Sequence, residues 1–223
     1  MILRAPAKLT RSLRVTGVRD DGYHLIDAEM VTLDLADELA VSDGENDLPP
    51  DDLVSRALAA VGRRAHVVLA KRIPVGAGLG GGSADAAAVL RWAGCTDLGV
   101  AAGLGADVPF CLVGGRARVR GIGEVVEPLP FEDRVFTLLT PPFPVSTPAV
   151  YRAWDQLGGP SAEGPNDLEP AALAVAPDLA RWRDRLGSAT GRPPVLAGSG
   201  GTWVVEGAFP EVEGAVVTRT GRP

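Results

Sequence analysis

Alternating apolar and polar residues predict strands in the first forty residues of the chain. Residues 12–16 alternate in this way, and residues 30–35 do so again. Residues 43–50 are typical of a loop, after which Asp51 or Asp52 is placed to cap a helix with apolar residues at helical spacing. We therefore expect a strand-rich beginning followed by a helix.

A glycine-rich segment lies between a short apolar run and an alanine-rich run. Residues 65–70 predict a strand, residues 74–84 contain five glycines, and residues 85–92 have the composition of a helix. Glycines let backbone N–H groups approach an anion, and the start of a helix adds unpaired donors and partial positive charge. This segment therefore predicts a phosphate-binding loop. Ser83 is expected to cap the helix and to offer its hydroxyl to a phosphate or a metal ion.

The second half of the chain mixes short strands and helices. Because they do not follow the regular period of βαβ units, we expect an α+β fold rather than a doubly wound sheet. The expected elements are a turn-rich stretch at 103–109, strands at 116–120 and within 131–140, helices near 149–157, 168–176 and 179–186, and a final strand–glycine turn–strand unit at 195–205.

Two other interpretations of the glycine loop are open. It could be a turn without a ligand, or a dinucleotide loop, since residues 76–81 match the pattern G-x-G-x-x-G. The dinucleotide fingerprint needs an acidic residue after the next strand, but Asp97 follows a turn-like stretch with no strand before it. No Lys-Ser or Lys-Thr pair follows the glycines, so the Walker pattern is absent. A phosphate loop of another kind is favoured.

Composition narrows the class of protein. The 223 residues, 46% hydrophobic and 22% charged, suit a soluble globular protein of one or two domains. A net charge of −6 argues against nucleic-acid binding, which requires a basic face. Cys95 and Cys111 lack metal-ligand spacing and are expected to be reduced thiols. No signal peptide or membrane-length apolar run is visible, so we expect a cytoplasmic protein without membrane contact.

Phosphoryl transfer needs a base and a cation beside the phosphate loop. Asp107 is the best candidate base, since Pro109 restrains the turn that carries it. Lys8 is the best candidate cation, because it lies in a mostly apolar segment. The residue types alone leave open that both side chains are solvated surface groups.

Three segments resemble the three motifs of the GHMP kinases, namely residues 5–8, 74–84 and 198–201. Further segments resemble one branch of that superfamily, which acts on a cytidine-diphosphate-linked polyol. These segments are 21–24, 71–74, 104–110, 121–124, 146–151 and 166–170. The combination of Asp-Gly-Tyr-His with Leu-Gly-Ala-Asp-Val-Pro is far more specific than the glycine loop alone.

The resemblance implies a fold and a reaction. The fold would be two-lobed α+β, with residues 1–130 forming an N-terminal lobe like domain 2 of ribosomal protein S5 and residues 131–223 a ferredoxin-like lobe. The reaction would be ATP-dependent phosphorylation of the 2-hydroxyl of the polyol, in non-mevalonate isoprenoid biosynthesis. ATP and Mg²⁺ are the implied cofactors, with the metal ligands left open. The implied partners are small molecules only, and the chain would be a monomer or a weak homodimer.

The resemblance also assigns roles to residues at matching positions. Lys8 and Asp107 match the catalytic pair, with Asp107 as the base. Tyr23 and His24 match the cytidine pocket, where the tyrosine stacks on the base and the histidine hydrogen-bonds it, and Tyr151 matches an aromatic position on the other face. The implied ATP-binding residues are Lys71, Pro74, Val75, Gly76, Ala77, Gly78, Leu79, Gly80, Gly81, Gly82, Ser83 and Ala84.

The chain departs from the family pattern in places. Thr10 stands where members commonly have Asn, which puts one substrate contact in doubt. The segments 46–61 and 92–103 are short, and little follows residue 205 where members usually continue with a helix and a strand. Two alternatives therefore remain: another small-molecule GHMP kinase with a mevalonate-type or sugar substrate, or a catalytically impaired nucleotide-binding paralogue.

Overall fold

The computed structural model describes residues 1–222, which form two antiparallel sheets and seven helices. The first sheet has the order β1-β2-β4-β5, and β3 pairs with the other end of β2. Its strands are β1 (Ile2–Val18), β2 (His24–Ser42), β3 (His66–Ala70), β4 (Arg116–Gly121) and β5 (Val125–Leu129).

Four helices cover one face of this sheet, with α2 at their centre. They are α1 (Leu53–Ala60), α2 (Gly81–Trp92), α3 (Leu98–Leu104) and α4 (Val108–Val113). All residues of α2 from Ala84 to Leu90 are buried, because the helix packs against β1 on one side and against α1 and α4 on the others. Its run of alanines allows this close packing on every side.

The second sheet has the order β7-β8-β6-β9. Its strands are β6 (Val135–Leu139), β7 (Val195–Leu196), β8 (Trp203–Glu206) and β9 (Ala215–Arg219). Three helices lie between β6 and β7 in the chain, namely α5 (Thr147–Gln156), α6 (Glu169–Val175) and α7 (Leu179–Thr190). The predicted α+β class is confirmed. The expected boundary between residues 130 and 131 falls between β5 and β6, and the division into two domains stays a prediction.

The long pair β1 and β2 is irregular where it passes the candidate site. Register shifts occur between Pro6 and Lys8 and between Thr10 and Ser12. Such irregularities bend a strand and redirect its side chains, and they are common beside active sites. Both Lys8 and Thr10 are buried at this bend.

Several helices and strands differ in length or number from those that the sequence predicts. The strands expected at 12–16 and 30–35 are parts of β1 and β2, which have 17 and 19 residues. The turn-rich stretch expected at 103–109 contains the end of α3 and the beginning of α4. Strand β9, which pairs with β6, follows the unit that was expected to be the last.

Ser83 does not cap α2, contrary to expectation. Gly80 occupies the N-cap position in the left-handed region with φ of 68°, and the helix begins at Gly81. Ser83 is therefore the third residue of the helix. Glycine at these positions leaves the first turn of α2 free of side chains that would cover its N–H groups.

None of the helices in residues 1–222 combines the length and the apolar character required to cross a membrane.

Two tryptophans of the second lobe offer a matched test of its packing. Trp203 is fully buried in β8 and donates from Nε1 to the Leu179 carbonyl at 3.0 Å, whereas the buried Nε1 of Trp182 has no partner within residues 1–222. Trp203→Phe should lower the free energy of unfolding by about 1 kcal/mol, because a satisfied hydrogen bond is lost. Trp182→Phe should leave it unchanged or raise it slightly. Urea unfolding followed by circular dichroism measures both, and a larger loss for Trp182→Phe would contradict the packing described.

Candidate active site

Lys8 is fixed beneath the glycine loop by its backbone and its side chain. Its N–H donates to the Leu79 carbonyl at 3.0 Å, which ties β1 to the loop. Its side chain passes so close to Gly80 that an added Cβ there would lie 2.7 Å from the lysine Cγ. Only glycine tolerates both this contact and the positive φ at position 80.

The second and third motifs meet backbone to backbone. A Cβ added to Gly200 would lie 2.2 Å from the Cα of Gly78, and one added to Gly78 would lie 2.7 Å from Gly200. Beside this contact, the Thr202 N–H donates to the Ala77 carbonyl at 3.2 Å. The structure thus brings together glycine turns that are more than 120 residues apart in the chain.

The fold places the ammonium of Lys8, in the first motif, beside the carboxylate of Asp107, in the segment 104–110. The Lys8 Nζ lies 3.3 Å from Asp107 Oδ2 and donates to Thr10 Oγ1 at 3.1 Å. The Lys8 side chain is 6% exposed and that of Asp107 is 34% exposed, so the carboxylate is accessible to a ligand. Asp107 stands at the N-cap of α4 but makes no capping hydrogen bond, which leaves its oxygens free for other partners.

A cavity of about 510 Å³ opens in front of this pair. Eight of the predicted site residues line it: Lys8, Thr10, Tyr23, His24, Gly78, Ser83, Asp107 and Tyr151. Its size suits a small-molecule ligand of the nucleotide class. The remaining residues of the glycine loop are not among those that line this cavity.

One end of the cavity is built around His24. Its ring lies 4.7 Å from that of Tyr151, centroid to centroid, and 5.5 Å from that of Trp154 in an edge arrangement. The His24 Nε2 lies 2.8 Å from Asp155 Oδ1. Burial raises the pKa of the Tyr151 phenol, and the negative charge of Asp107 adds to the effect. Tyr23 lines the cavity with an exposed ring, and within residues 1–222 the rings of Tyr23 and Tyr151 are not in contact with each other.

Lys71 does not line the cavity. Its ammonium hydrogen-bonds Asp37 and lies 2.6 Å from Asp85 Oδ2. Asp37 also accepts the backbone N–H groups of Arg72 and Ile73, so it anchors the segment that enters the glycine loop. Burial acts to lower the pKa of Lys71, but its two carboxylate partners together raise it. The predicted contact of Lys71 with the nucleotide stays a prediction.

Residues 166–170 match the family pattern, but their sequence alone assigns them no role. The buried Asn166 donates from Nδ2 to the carbonyls of Leu196 and Gly198 at 2.8 and 2.7 Å, and its Oδ1 accepts the Leu168 N–H. It thereby holds the third glycine turn in place. In the sequence, the polar pair Asn166-Asp167 was the available signal.

Polar residues on α5 and beside it also belong to the site, although the sequence did not predict them. Arg152 and Asp155 line the cavity, as do Thr147 and Ser199, whose hydroxyl oxygens lie 2.8 Å apart. Residues 147–155 sit on a helix whose pattern predicts only its buried face, so its cavity-facing residues carried no distinct signal.

No group of three or more His, Cys, Asp or Glu side chains suited to hold a metal ion occurs within residues 1–222. Cys95 and Cys111 are free thiols. Burial raises the pKa of the Cys111 thiol to about 12.

Comparison with known proteins agrees with this geometry. Residues 52–115 match the model of the GHMP kinases N terminal domain. The 4-diphosphocytidyl-2-C-methyl-D-erythritol kinase of Paracoccus denitrificans is 40% identical over 89% of this chain and 84% of its own length. The kinase of the same name from Variovorax paradoxus is 36% identical over the same shares. The chain belongs to the 4-diphosphocytidyl-2-C-methyl-D-erythritol kinase family.

Solved structures agree with the assignment to this family. A crystal structure of 4-(cytidine 5'-diphospho)-2C-methyl-D-erythritol kinase superposes with a TM-score of 0.81 at 31% identity and covers all of both chains. The mevalonate kinase of Methanococcus jannaschii superposes with a TM-score of 0.62 at 11% identity and thus shares the fold. GHMP kinases depend on ATP, so ATP is the phosphoryl donor that the family uses.

The carboxyl of Asp85 gives this region a pH dependence. Burial raises its pKa from 3.8 to about 6, although Lys71 opposes the shift. The folded state therefore binds this proton more tightly than the unfolded state, and the contribution of Asp85 to stability declines as pH rises from about 4 to about 6. Asp85→Asn should remove this decline. The free energy of unfolding of the variant, relative to that of wild type, should therefore rise by up to about 3 kcal/mol between about pH 4 and about pH 6. Urea unfolding at a series of pH values measures the difference, and a constant difference would contradict the assignment.

Proposed function

We propose that this chain transfers the γ-phosphoryl group of ATP to the 2-hydroxyl of 4-diphosphocytidyl-2-C-methyl-D-erythritol. Membership of the family supports the reaction. The observation that carries the proposal is the pairing of Lys8 with Asp107, at 3.3 Å, in a cavity that also holds His24 and Tyr151. This cavity offers a reactive end and an aromatic end to one elongated substrate.

Asp107 acts as the general base. Its accessible carboxylate accepts the proton of the 2-hydroxyl while the hydroxyl oxygen forms a bond to the γ-phosphorus. The bond between the γ-phosphorus and its bridging oxygen breaks at the same time, and ADP leaves with that oxygen. A positioned base of this kind contributes about 10²–10⁴ in rate.

Lys8 interacts with the catalytic base and with the transferred phosphoryl group. Its ammonium pairs with the Asp107 carboxylate at 3.3 Å, and it faces the negative charge that develops on the transferred phosphoryl group. Because the Lys8 side chain is almost fully buried and bonded to Thr10, little reorganisation accompanies the reaction. The Thr10 hydroxyl thus serves Lys8, which supports an active site despite the departure from the usual Asn.

The glycine loop binds the ATP phosphates. Gly78 and Ser83 line the cavity, and the bare first turn of α2 presents N–H groups to an anion. A Mg²⁺ ion would neutralise phosphate charge when bound. Ser83 would hold it together with the phosphates and water, which fits the lack of a cluster of acidic ligands in residues 1–222. We place the reaction in the cytoplasm, where ATP is available.

His24, Tyr23 and Tyr151 bind the cytidine end. The base stacks on the flat tyrosine rings, and His24 supplies a hydrogen bond to its edge. The contact between the rings of His24 and Tyr151 supports a preformed surface for a base.

An assay of ADP release with purified protein tests the proposal. With ATP, the wild type should phosphorylate the cytidine-diphosphate substrate and leave mevalonate and homoserine unchanged. Asp107→Asn should lower kcat by about 10²–10⁴ because the base is lost, while ADP still binds.

The control is Asp51→Asn, which changes an exposed carboxylate outside the cavity. Near-normal turnover in Asp107→Asn would refute Asp107 as the base. Turnover of mevalonate in preference to the cytidine substrate would favour another GHMP activity. Nucleotide binding without any turnover would favour an impaired paralogue.

A further inference from the structure

Asp155 contacts the histidine at the aromatic end of the cavity but has no assigned role. It lies on α5, one turn after Tyr151, and its Oδ1 is 2.8 Å from His24 Nε2. The His24 side chain is 9% exposed and that of Asp155 is 48% exposed. The contact thus joins a buried imidazole to a carboxylate that stays in contact with water.

This contact determines which imidazole nitrogen carries the proton. A carboxylate can only accept hydrogen bonds. Nε2 must therefore be the donor. In a neutral imidazole, the other nitrogen, Nδ1, is then an acceptor. Nδ1 has no hydrogen-bond partner within residues 1–222, and His24 lines the cavity.

The surrounding rings keep the imidazole from rotating by 180° about its Cβ–Cγ bond. Tyr151 lies against one side of it at 4.7 Å, and Trp154 meets it edge-on at 5.5 Å. Trp154 is itself fixed, because its Nε1 donates to the Pro160 carbonyl at 3.0 Å. Asp155 and this aromatic packing together hold one tautomer in one orientation.

An acceptor at Nδ1 distinguishes between pyrimidine bases. The exocyclic 4-amino group of cytosine is a donor, whereas uracil carries an acceptor oxygen at the same position. A neutral Nδ1 would attract the first and repel the second. A site built around one hydrogen-bonding group discriminates strongly against an analogue that cannot satisfy it.

We propose that Asp155 is a positioning residue that fixes the proton of His24 on Nε2, so that Nδ1 accepts the 4-amino group of cytosine and selects cytidine over uridine. The proposal rests on the cytidine-binding function proposed above and assigns its base selectivity to Asp155. Asp155 acts through His24.

Nitrogen-15 NMR of histidine-labelled protein tests the tautomer directly, without a need for activity. The chain has two histidines, so the variant His66→Asn assigns the signals. At mildly alkaline pH, the wild type should show a protonated Nε2 and an unprotonated Nδ1 for His24. In Asp155→Ala, the Nδ1 shift should move toward that of a free imidazole, in which both tautomers are populated. A proton on Nδ1 in the wild type would overturn the proposal.

Calorimetric titration with CDP and with UDP tests the selectivity. The wild type should bind CDP more tightly than UDP. In Asp155→Ala, the ratio of the two affinities should fall roughly tenfold, which is the effect of one hydrogen bond to a charged group. Asp184→Ala removes an equal charge from an exposed position on α7 and should keep the preference. An unchanged preference in Asp155→Ala would overturn the proposal. A wild type that fails to bind CDP would instead contradict the proposed cytidine site, and the NMR result would still decide the role of Asp155.

Discussion

The contact between two glycine backbones is the constraint on which the candidate site depends. Gly78 belongs to the loop before α2 and Gly200 to the turn between β7 and β8, and their backbones approach more closely than any side chain allows. This approach fixes the second lobe against the first. The cavity, Lys8 under Gly80 and the contact of α5 with His24 lie around this junction.

Charge in this protein is managed locally. The net charge of −6 does not favour an anionic substrate, so the site relies on a few cations held by specific partners. In the cavity, Lys8 is held between Thr10 and Asp107, whereas Lys71, which does not line the cavity, is held between Asp37 and Asp85. In the second arrangement, one ammonium lies between two carboxylates. Burial raises the pKa of Asp85, and the charge of Asp37 adds to this shift, so the single ammonium of Lys71 opposes it only in part.

The sequence predicted the parts of this molecule that depend on local chemistry. The α+β class, the helices of the second lobe and the family followed from periodicity and from motif spacing. The lengths of β1 and β2 did not, because β2 pairs with β1, β3 and β4 along its length, and such pairing extends a strand beyond its own alternating pattern. The start of α2 at Gly81 was missed because the packing of its first turn overrides the low helix propensity of glycine. The contact of Asp155 with His24 joins residues 131 apart, so only the fold reveals it.

Comparison of two neighbouring alanine substitutions tests the glycine contact most directly. A Cβ at position 200 meets backbone at 2.2 Å, whereas a Cβ at position 201 first meets the end of the Val145 side chain at 3.3 Å. Because the added Cβ would force the two glycine turns apart, Gly200→Ala should lower kcat/KM for the cytidine substrate at least about tenfold and cost about 1–3 kcal/mol in unfolding free energy. Gly201→Ala should stay close to wild type in both. Equal effects of the two substitutions, or normal activity in Gly200→Ala, would show that the site does not depend on the glycine contact.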